Sequence, residues 1–176
     1  MAKLGASPTN IPSAELYTAL ERNTIDALEW VGPSLDLRMG FHKIAPYYYT
    51  GWQEPATELQ FMVNQKAYDS LPADLQKILT IAMKTAAYDM YSQSTHENGV
   101  NLKALQTDYP NIKIRTFPKP VMKAIRAAND ELLAEFAAKD PKTNKILESI
   151  TRYQHQVRAW TKFADQAYLE SFEDEK

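Results

Sequence analysis

Residues 14–33 read AELYTALERNTIDALEWVGP, and the reading of this stretch decides the rest. Leu16, Tyr17, Ala19 and Leu20 recur at helical spacing behind Ser13, which has the character of an N-cap, and Asn23 stands near the helix end. From Thr24 to Trp30 the pattern fits either a strand or the end of a helix. The stretch then closes on Glu29 and Trp30, followed at once by Gly32-Pro33, in a chain with only five glycines. An acid beside the largest aromatic, with glycine and proline behind it, fills a core poorly. It suits the rim of a site, because ligand pockets combine apolar walls with a few fixed polar groups.

Toward the N-terminus, Ser7–Pro12 is extended and bounded by prolines. The start, MAKLGA, looks like the end of a helix with Gly5 as its C-cap, and it carries no secretory leader pattern. Toward the C-terminus, residues 34–44 read as helix, with Leu35, Leu37, Phe41 and Ile44 as candidate buried positions, broken by Pro46. Tyr47–Glu54 (YYYTGWQE) is aromatic-rich and predicts a strand closed by Pro55. Glu58–Asn64 alternates, with Leu59, Phe61 and Val63 on one face, and predicts a second strand antiparallel to the first. Ser70 and Pro72 open a helix with a 3.6-residue apolar period running to about Gly99 and resuming to Leu105. A turn at Tyr109–Asn111 leads into an alternating strand, Ile112–Phe117, ended by Pro118 and Pro120. A further helix is marked by Val121, Ile125, Ala128, Leu132 and Phe136 and is broken by Asp140-Pro141.

From Thr143 to Phe172 nothing in the sequence interrupts a last helix, which at about 1.5 Å per residue spans on the order of 45 Å. Ile146, Ile150, Tyr153, Val157, Trp160, Ala164 and Ala167 alternate in steps of four and three, an a/d seam. The seam fits a helix lying across its own domain or one packing on another subunit. Glu173–Lys176 is a solvated tail. The expected class is α/β, mixed and helix-rich, without internal repeats or low-complexity segments.

Composition narrows the function. A chain of 176 residues, 44% apolar and 24% charged, has the make-up of an ordinary globular domain. Its formal net charge of -2 gives no electrostatic footprint for nucleic acid. No apolar run approaches the roughly 20 residues of a membrane-spanning helix. With no cysteine, disulfides, thiolate metal sites and thiol nucleophiles are excluded. His42, His96 and His155 stand at no metal-ligand spacing, and there is neither a glycine-rich phosphate loop nor a G-x-S-x-G elbow.

What remains are two acids beside tryptophans: Glu29-Trp30, and Trp52-Gln53-Glu54. Carboxylates at the ends of apolar segments can converge on a hard cation, which takes oxygen ligands including main-chain carbonyls. They can also form a general acid/base pair of glycosidase type, or sit at the surface with a structural role. Residue types alone leave these three readings open.

The same stretches carry a family pattern. AELYTALERNTIDALEWVGP, then YYYTGWQEP, then ELQFMVNQKAYDSLP with Asn64, Tyr68, Leu71 and Pro72, resembles the DctP-type solute-binding proteins of TRAP transporters. The nearest branch binds 2-oxo acids or lactate together with a cation. The resemblance covers residues 1 to about 120 closely and the C-terminal helices in general character. Thr50 departs from the usual YYYP. The match is to the C-terminal half of such a protein, so the first lobe and its carboxylate-gripping arginine are expected outside this sequence.

The resemblance implies the C-terminal half of a two-lobed periplasmic-binding-protein-like fold. Residues 1–140 would form a partial solute-binding domain with segments from both lobes, and residues 141–176 a long helix serving as a dimerisation element. It implies Glu29, the Trp30 carbonyl and Glu54 as ligands of a sodium or calcium ion, with Trp30, Tyr49, Trp52 and Glu54 lining the cavity for a small 2-oxo or 2-hydroxy carboxylate. The expected role is that of a non-enzymatic receptor in the periplasm with no catalytic residue. It would hand its solute to the TRAP membrane permease, and it would pair into a homodimer through the C-terminal helix. A chain lacking one lobe is expected to bind its ligand weakly. The alternatives are a helical interaction protein whose working surface is the last helix, and a two-carboxylate hydrolase using Glu29 and Glu54.

Overall fold

The computed structural model describes residues 1–51 and 60–172. Its elements gather into two compact units, Thr9–Phe117 and the two segments Met1–Pro8 and Pro118–Lys176.

In the first unit, α1 (Ser13–Glu21) has Pro12 as its N-cap, so Ser13 is the first helical residue and caps nothing with its side chain. Asn23 turns the chain with φ 55. Residues 24–30 then form neither strand nor helix. α2 (Pro33–Met39) starts on proline, whose missing N–H is no loss in a first helical turn. It ends at Gly40, where φ is 81 and an added Cβ would lie 3.4 Å from the Tyr17 ring. A left-handed backbone position with so close a neighbour calls for glycine. A single 3₁₀ turn, Phe41–Lys43, follows. The helical reading of residues 34–44 therefore resolves into two pieces split at Gly40.

β1 (Tyr47–Thr50) pairs in parallel with a strand from much later in the chain. Before that strand come α3 (Gln65–Asp69), capped by the Asn64 side chain on the Ala67 amide at 3.2 Å, and α4 (Ala73–Thr107). β2 (Lys113–Thr116) sets Tyr47 against Lys113, Tyr48 against Ile114, Tyr49 against Arg115 and Thr50 against Thr116. A parallel pair needs a long crossover, and the 35-residue α4 supplies it.

Two expectations change here. Within Glu58–Asn64, the described residues 60–64 form no strand and Phe61, Met62 and Val63 are exposed. Apolar alternation becomes a strand only where a ladder partner pairs with it, and the recorded partner of β1 is β2. In α4, Gly99 is no break. An interior glycine costs about 1 kcal/mol against alanine, which neighbouring turns absorb. One of them carries Asn101 bonded to the Glu97 carbonyl at 2.8 Å, and Leu105 is the most buried residue nearby. The described apolar core of this unit is small: Phe41 is 5% exposed and Leu105 2%.

The second unit is helical. Residues Ala2–Leu4 form a 3₁₀ turn closed by Gly5 at φ 84, the expected left-handed cap. α5 (Lys119–Lys139) packs on α6 (Pro141–Thr161), with Asp140 at the corner. The Asp140 carboxylate accepts the Lys142 amide at 3.2 Å and the Thr143 amide at 3.0 Å, a two-bond N-cap. Residue 140, the expected domain boundary, is thus a corner inside this unit. The last helix differs from the continuous α-helix expected over residues 143–172. Lys162–Gln166 is a π turn, followed by α7 (Ala167–Glu170). A π turn adds a residue per turn, so the four-three seam is in phase along α6 and loses its register beyond Thr161. No residue of α5, α6 or α7 is buried.

Candidate functional site

The end of the 14–33 stretch lies on a cavity of about 450 Å³ inside the Thr9–Phe117 unit. Residues 26–31 form one wall, Pro46–Tyr49 another, and Phe41, Leu105, Ile112 and Phe117 supply apolar floor. Three of the sequence-predicted residues meet here: Glu29, Trp30 and Tyr49. Glu29 is exposed and Trp30 half-buried. The Tyr49 ring packs on Phe117 at 4.6 Å between centroids, which fixes it at the end of β1. Trp52 and Glu54 lie outside the described residues.

The shape of the 29–33 turn has two supports. Within the segment, the Asp36 carboxylate reaches back one helical turn. Its Oδ1 accepts the Val31 amide at 3.3 Å and the Gly32 amide at 3.2 Å, and its Oδ2 accepts the Tyr48 hydroxyl at 2.7 Å. One carboxylate thus ties the turn to β1 and satisfies donors that the start of α2 leaves open. From α4, Asn98 Oδ1 accepts the Ser34 amide at 3.0 Å. A Cβ on Gly32 would stand 3.2 Å from that same oxygen, so the glycine is there for room rather than for its extended φ. Ser34 is buried beneath this contact.

Two buried ring nitrogens also belong to cavity residues and have no hydrogen-bond partner among the described residues: Trp30 Nε1 and His42 Nδ1. His42 stacks on Tyr109 with centroids 4.4 Å apart. Burial, and then the neighbouring Lys43 charge, hold its pKa below the ordinary 6.5, so the ring stays neutral at neutral pH.

The donor chemistry suits a hard cation in part. A Glu29 carboxylate and a Trp30 main-chain carbonyl are oxygen donors of the kind sodium and calcium take. Among the described residues, no group of three His, Asp or Glu side chains converges in a way that could hold a metal. A cation at this turn would therefore draw on main-chain oxygens and on residues beyond those described. The sequence pattern did not reveal Asp36, Tyr48, Asn98 or His42. Asp36 left a faint signal in its place four residues after Gly32, whereas Asn98 is 64 residues from its partner and left none.

The chain is similar to proteins of a known family. Residues 1–140 match the family described as bacterial extracellular solute-binding protein, family 7. The chain is 92% identical to a TRAP periplasmic solute-binding protein of Pseudoalteromonas atlantica T6c, solved with bound sodium and pyruvate. The TM-score is 0.91, over 97% of this chain and 52% of that one. It is 78% identical, at TM-score 0.93 over the same shares, to the Colwellia psychrerythraea protein solved with calcium and pyruvate. A monocarboxylate 2-oxoacid-binding periplasmic protein of Nostoc sp. is 33% identical over 96% of this chain and 46% of its own length. The chain thus spans about half the length of the relatives it matches.

Proposed function

The chain belongs to the bacterial extracellular solute-binding proteins of family 7, and on that premise we propose that its 29–33 turn holds a sodium or calcium ion beside a small 2-oxo or 2-hydroxy monocarboxylate. The observation that carries the reading is the meeting of Glu29, Trp30 and Tyr49 on one cavity. In this reading Glu29 and the Trp30 carbonyl ligate the cation, and Glu54 adds a further oxygen. Trp30, Tyr49 and Trp52 exclude water around the solute. The cation supplies positive charge next to the carboxylate, which offsets the cost of desolvating it. Nothing is transformed. The solute is captured in the periplasm, as two lobes close around it, and passed to the membrane permease of a TRAP transporter. Sodium and calcium each accompany pyruvate in a relative, so either ion suits. The relatives are solute-binding proteins, and the hydrolase alternative has no support from them.

Calorimetry tests the reading. Calcium should give a saturable heat that Glu29→Gln removes, and pyruvate should bind only with calcium present and weakly. A calcium affinity unchanged by Glu29→Gln sinks it.

Residues 141–176 serve, in the same proposal, as a homodimerisation element. α6 leaves Ile146, Ile150, Tyr153 and Trp160 exposed along one seam, an apolar stripe unusual on a monomer. A Bordetella bronchiseptica relative, 35% identical, is described as a mixed-occupancy dimer with calcium and picolinate. Light scattering of Tyr153→Glu/Trp160→Glu should then give the mass of a single chain where the unaltered chain gives twice that.

A further inference from the structure

We propose that Asp36 is the positioning residue of the cation turn: by holding the Val31 and Gly32 amides it aims the Trp30 and Val31 carbonyls away from itself and toward the ion. The proposal rests on the cation reading of Glu29 and Trp30 given above, and it adds the device that makes a main-chain ligand dependable.

The direction of these carbonyls follows from the peptide unit. The Trp30 carbonyl and the Val31 N–H belong to one planar group, and in a trans peptide the C=O and N–H point in opposite directions. No cis peptide occurs among the described residues. Asp36 Oδ1 accepts the Val31 N–H at 3.3 Å, so the Trp30 oxygen faces away from Asp36. The same oxygen accepts the Gly32 N–H at 3.2 Å, which turns the Val31 oxygen likewise. Two successive peptide planes are thereby fixed by one atom, in a segment with no helix or strand to fix them. A carboxylate on the N–H side also polarises the peptide and makes its carbonyl oxygen a better ligand.

Three further observations make the anchor stiff. Asp36 Oδ2 accepts the Tyr48 hydroxyl at 2.7 Å, so the carboxylate cannot rotate without breaking its tie to β1. The next residue of β1 is Tyr49, so the turn and a cavity wall are held to the same point. Asn98 on α4 holds the Ser34 amide at 3.0 Å, which fixes the far end of the turn at the start of α2. Asp36 itself takes its place in α2 through its own amide, bonded to the Gly32 carbonyl at 2.9 Å. Outer groups of this kind around a metal ligand alter affinity by about 10- to 100-fold when removed.

The experiment uses terbium as the calcium stand-in, read by tryptophan-sensitised luminescence, with amide hydrogen exchange read in parallel. In the unaltered chain, the Val31 and Gly32 amides should exchange more slowly than those of residues 27 and 28, although none of these lies in regular structure. Asp36→Ala should abolish that protection and weaken terbium binding about tenfold or more. Asp36→Asn, which keeps an oxygen acceptor in place, should restore the protection and most of the affinity. A role confined to stability would lower the melting temperature without this split between Ala and Asn. If Glu29→Gln abolishes terbium binding while Asp36→Ala binds within threefold of the unaltered chain, the positioning role is wrong and the cation reading stands. Absence of terbium binding in the unaltered chain overturns the cation reading and the positioning role with it. If Asp36→Ala does not fold, exchange in the unaltered chain decides: unprotected Val31 and Gly32 amides overturn the proposal.

Discussion

The two units are held together by different means. The Thr9–Phe117 unit is organised by contacts between residues distant in sequence. β1 meets β2 across α4, Asn98 caps α2, and the side chains of Phe41 and Leu105 are buried. The helical unit of Met1–Pro8 and Pro118–Lys176 buries no residue of α5, α6 or α7. Its named supports are the Asp140 cap and the bonds of Lys3 to Glu131 and Glu135. A unit built on burial and distant hydrogen bonds can hold a turn such as 29–33 in one shape. A unit built on amphipathic helices with open seams presents surface instead. The division suits a solute site in the first and an association face in the second.

The sharpest way to break this contrast is to remove one apolar side chain from each unit. Leu105→Ala empties a position that is 2% exposed, and truncations of this kind cost about 2–5 kcal/mol because the cavity closes only in part. Val121→Ala shortens an aliphatic side chain of α5 that is 40% exposed and lies off the α6 seam, where about 0.5 kcal/mol is expected. Hydrogen exchange followed separately over residues 9–117 and 118–172 should show a large loss of protection for Leu105→Ala, confined to the first range. Equal losses from the two substitutions would erase the distinction.

What could be read from the sequence follows the same division. The helices of the second unit announce themselves through period and breakers, because their order is local. Val121 to Phe136 marks α5, and Asp140-Pro141 marks the corner. The π turn at Lys162–Gln166 escapes, since the sequence there continues a helical pattern and only the hydrogen-bond register changes. In the first unit both strands, Tyr47–Thr50 and Lys113–Thr116, were legible and their pairing was not. Pairing with Lys113–Thr116 is a long-range choice, and the alternation at Phe61 and Val63 pointed to a nearer one. The site splits the same way. Glu29, Trp30 and Tyr49 stand out by residue type and resemblance. Asp36 and Asn98 act through hydrogen bonds to main-chain amides, and nothing in the identity of an amide marks which side chain will reach it.

Acid separates the units by pH. Burial lowers the His42 pKa below 6.5, so the unfolded chain takes up that proton more readily than the folded one. The resulting contribution to stability is full above pH 6.5 and is lost as pH falls through the folded value. Asp140 works in a lower window. Hydrogen bonds from Thr143 and from the Lys142 and Thr143 amides hold its carboxyl below the ordinary 3.8. Its contribution is full above 3.8 and disappears as pH falls through the depressed value. Circular dichroism melts from pH 7 to 3, with exchange to assign them, should show residues 9–117 weakening first and residues 118–172 only at the acid end. His42→Phe keeps a ring against Tyr109 and removes the titration, so it should flatten the first slope and leave the second. A slope between pH 7 and 5 that survives His42→Phe would assign it to another group.

The smallest effect concerns Lys3, whose ammonium lies 2.8 Å from Glu131 and 2.7 Å from Glu135. Hydrogen bonds to these two carboxylates raise the Lys3 pKa above 10.5 and lower that of Glu135 below 4.5. The lysine's contribution is present below pH 10.5 and is lost as pH rises through the raised value. That of Glu135 is present above 4.5 and is lost as pH falls through the depressed one. All three groups face water, where such pairs are screened by salt and offset by side-chain ordering. Lys3→Ala should therefore leave the melting of the helical unit unchanged within error. It should speed amide exchange only at Leu4 and Gly5, whose amides bond back to the Met1 and Ala2 carbonyls in the 3₁₀ turn that the lysine anchors. The acceleration should match that produced in the unaltered chain by molar salt, because both remove the same attraction. A broad loss of protection along α5 in Lys3→Ala would mean that the helical unit depends on its ion pairs more than on its helix packing.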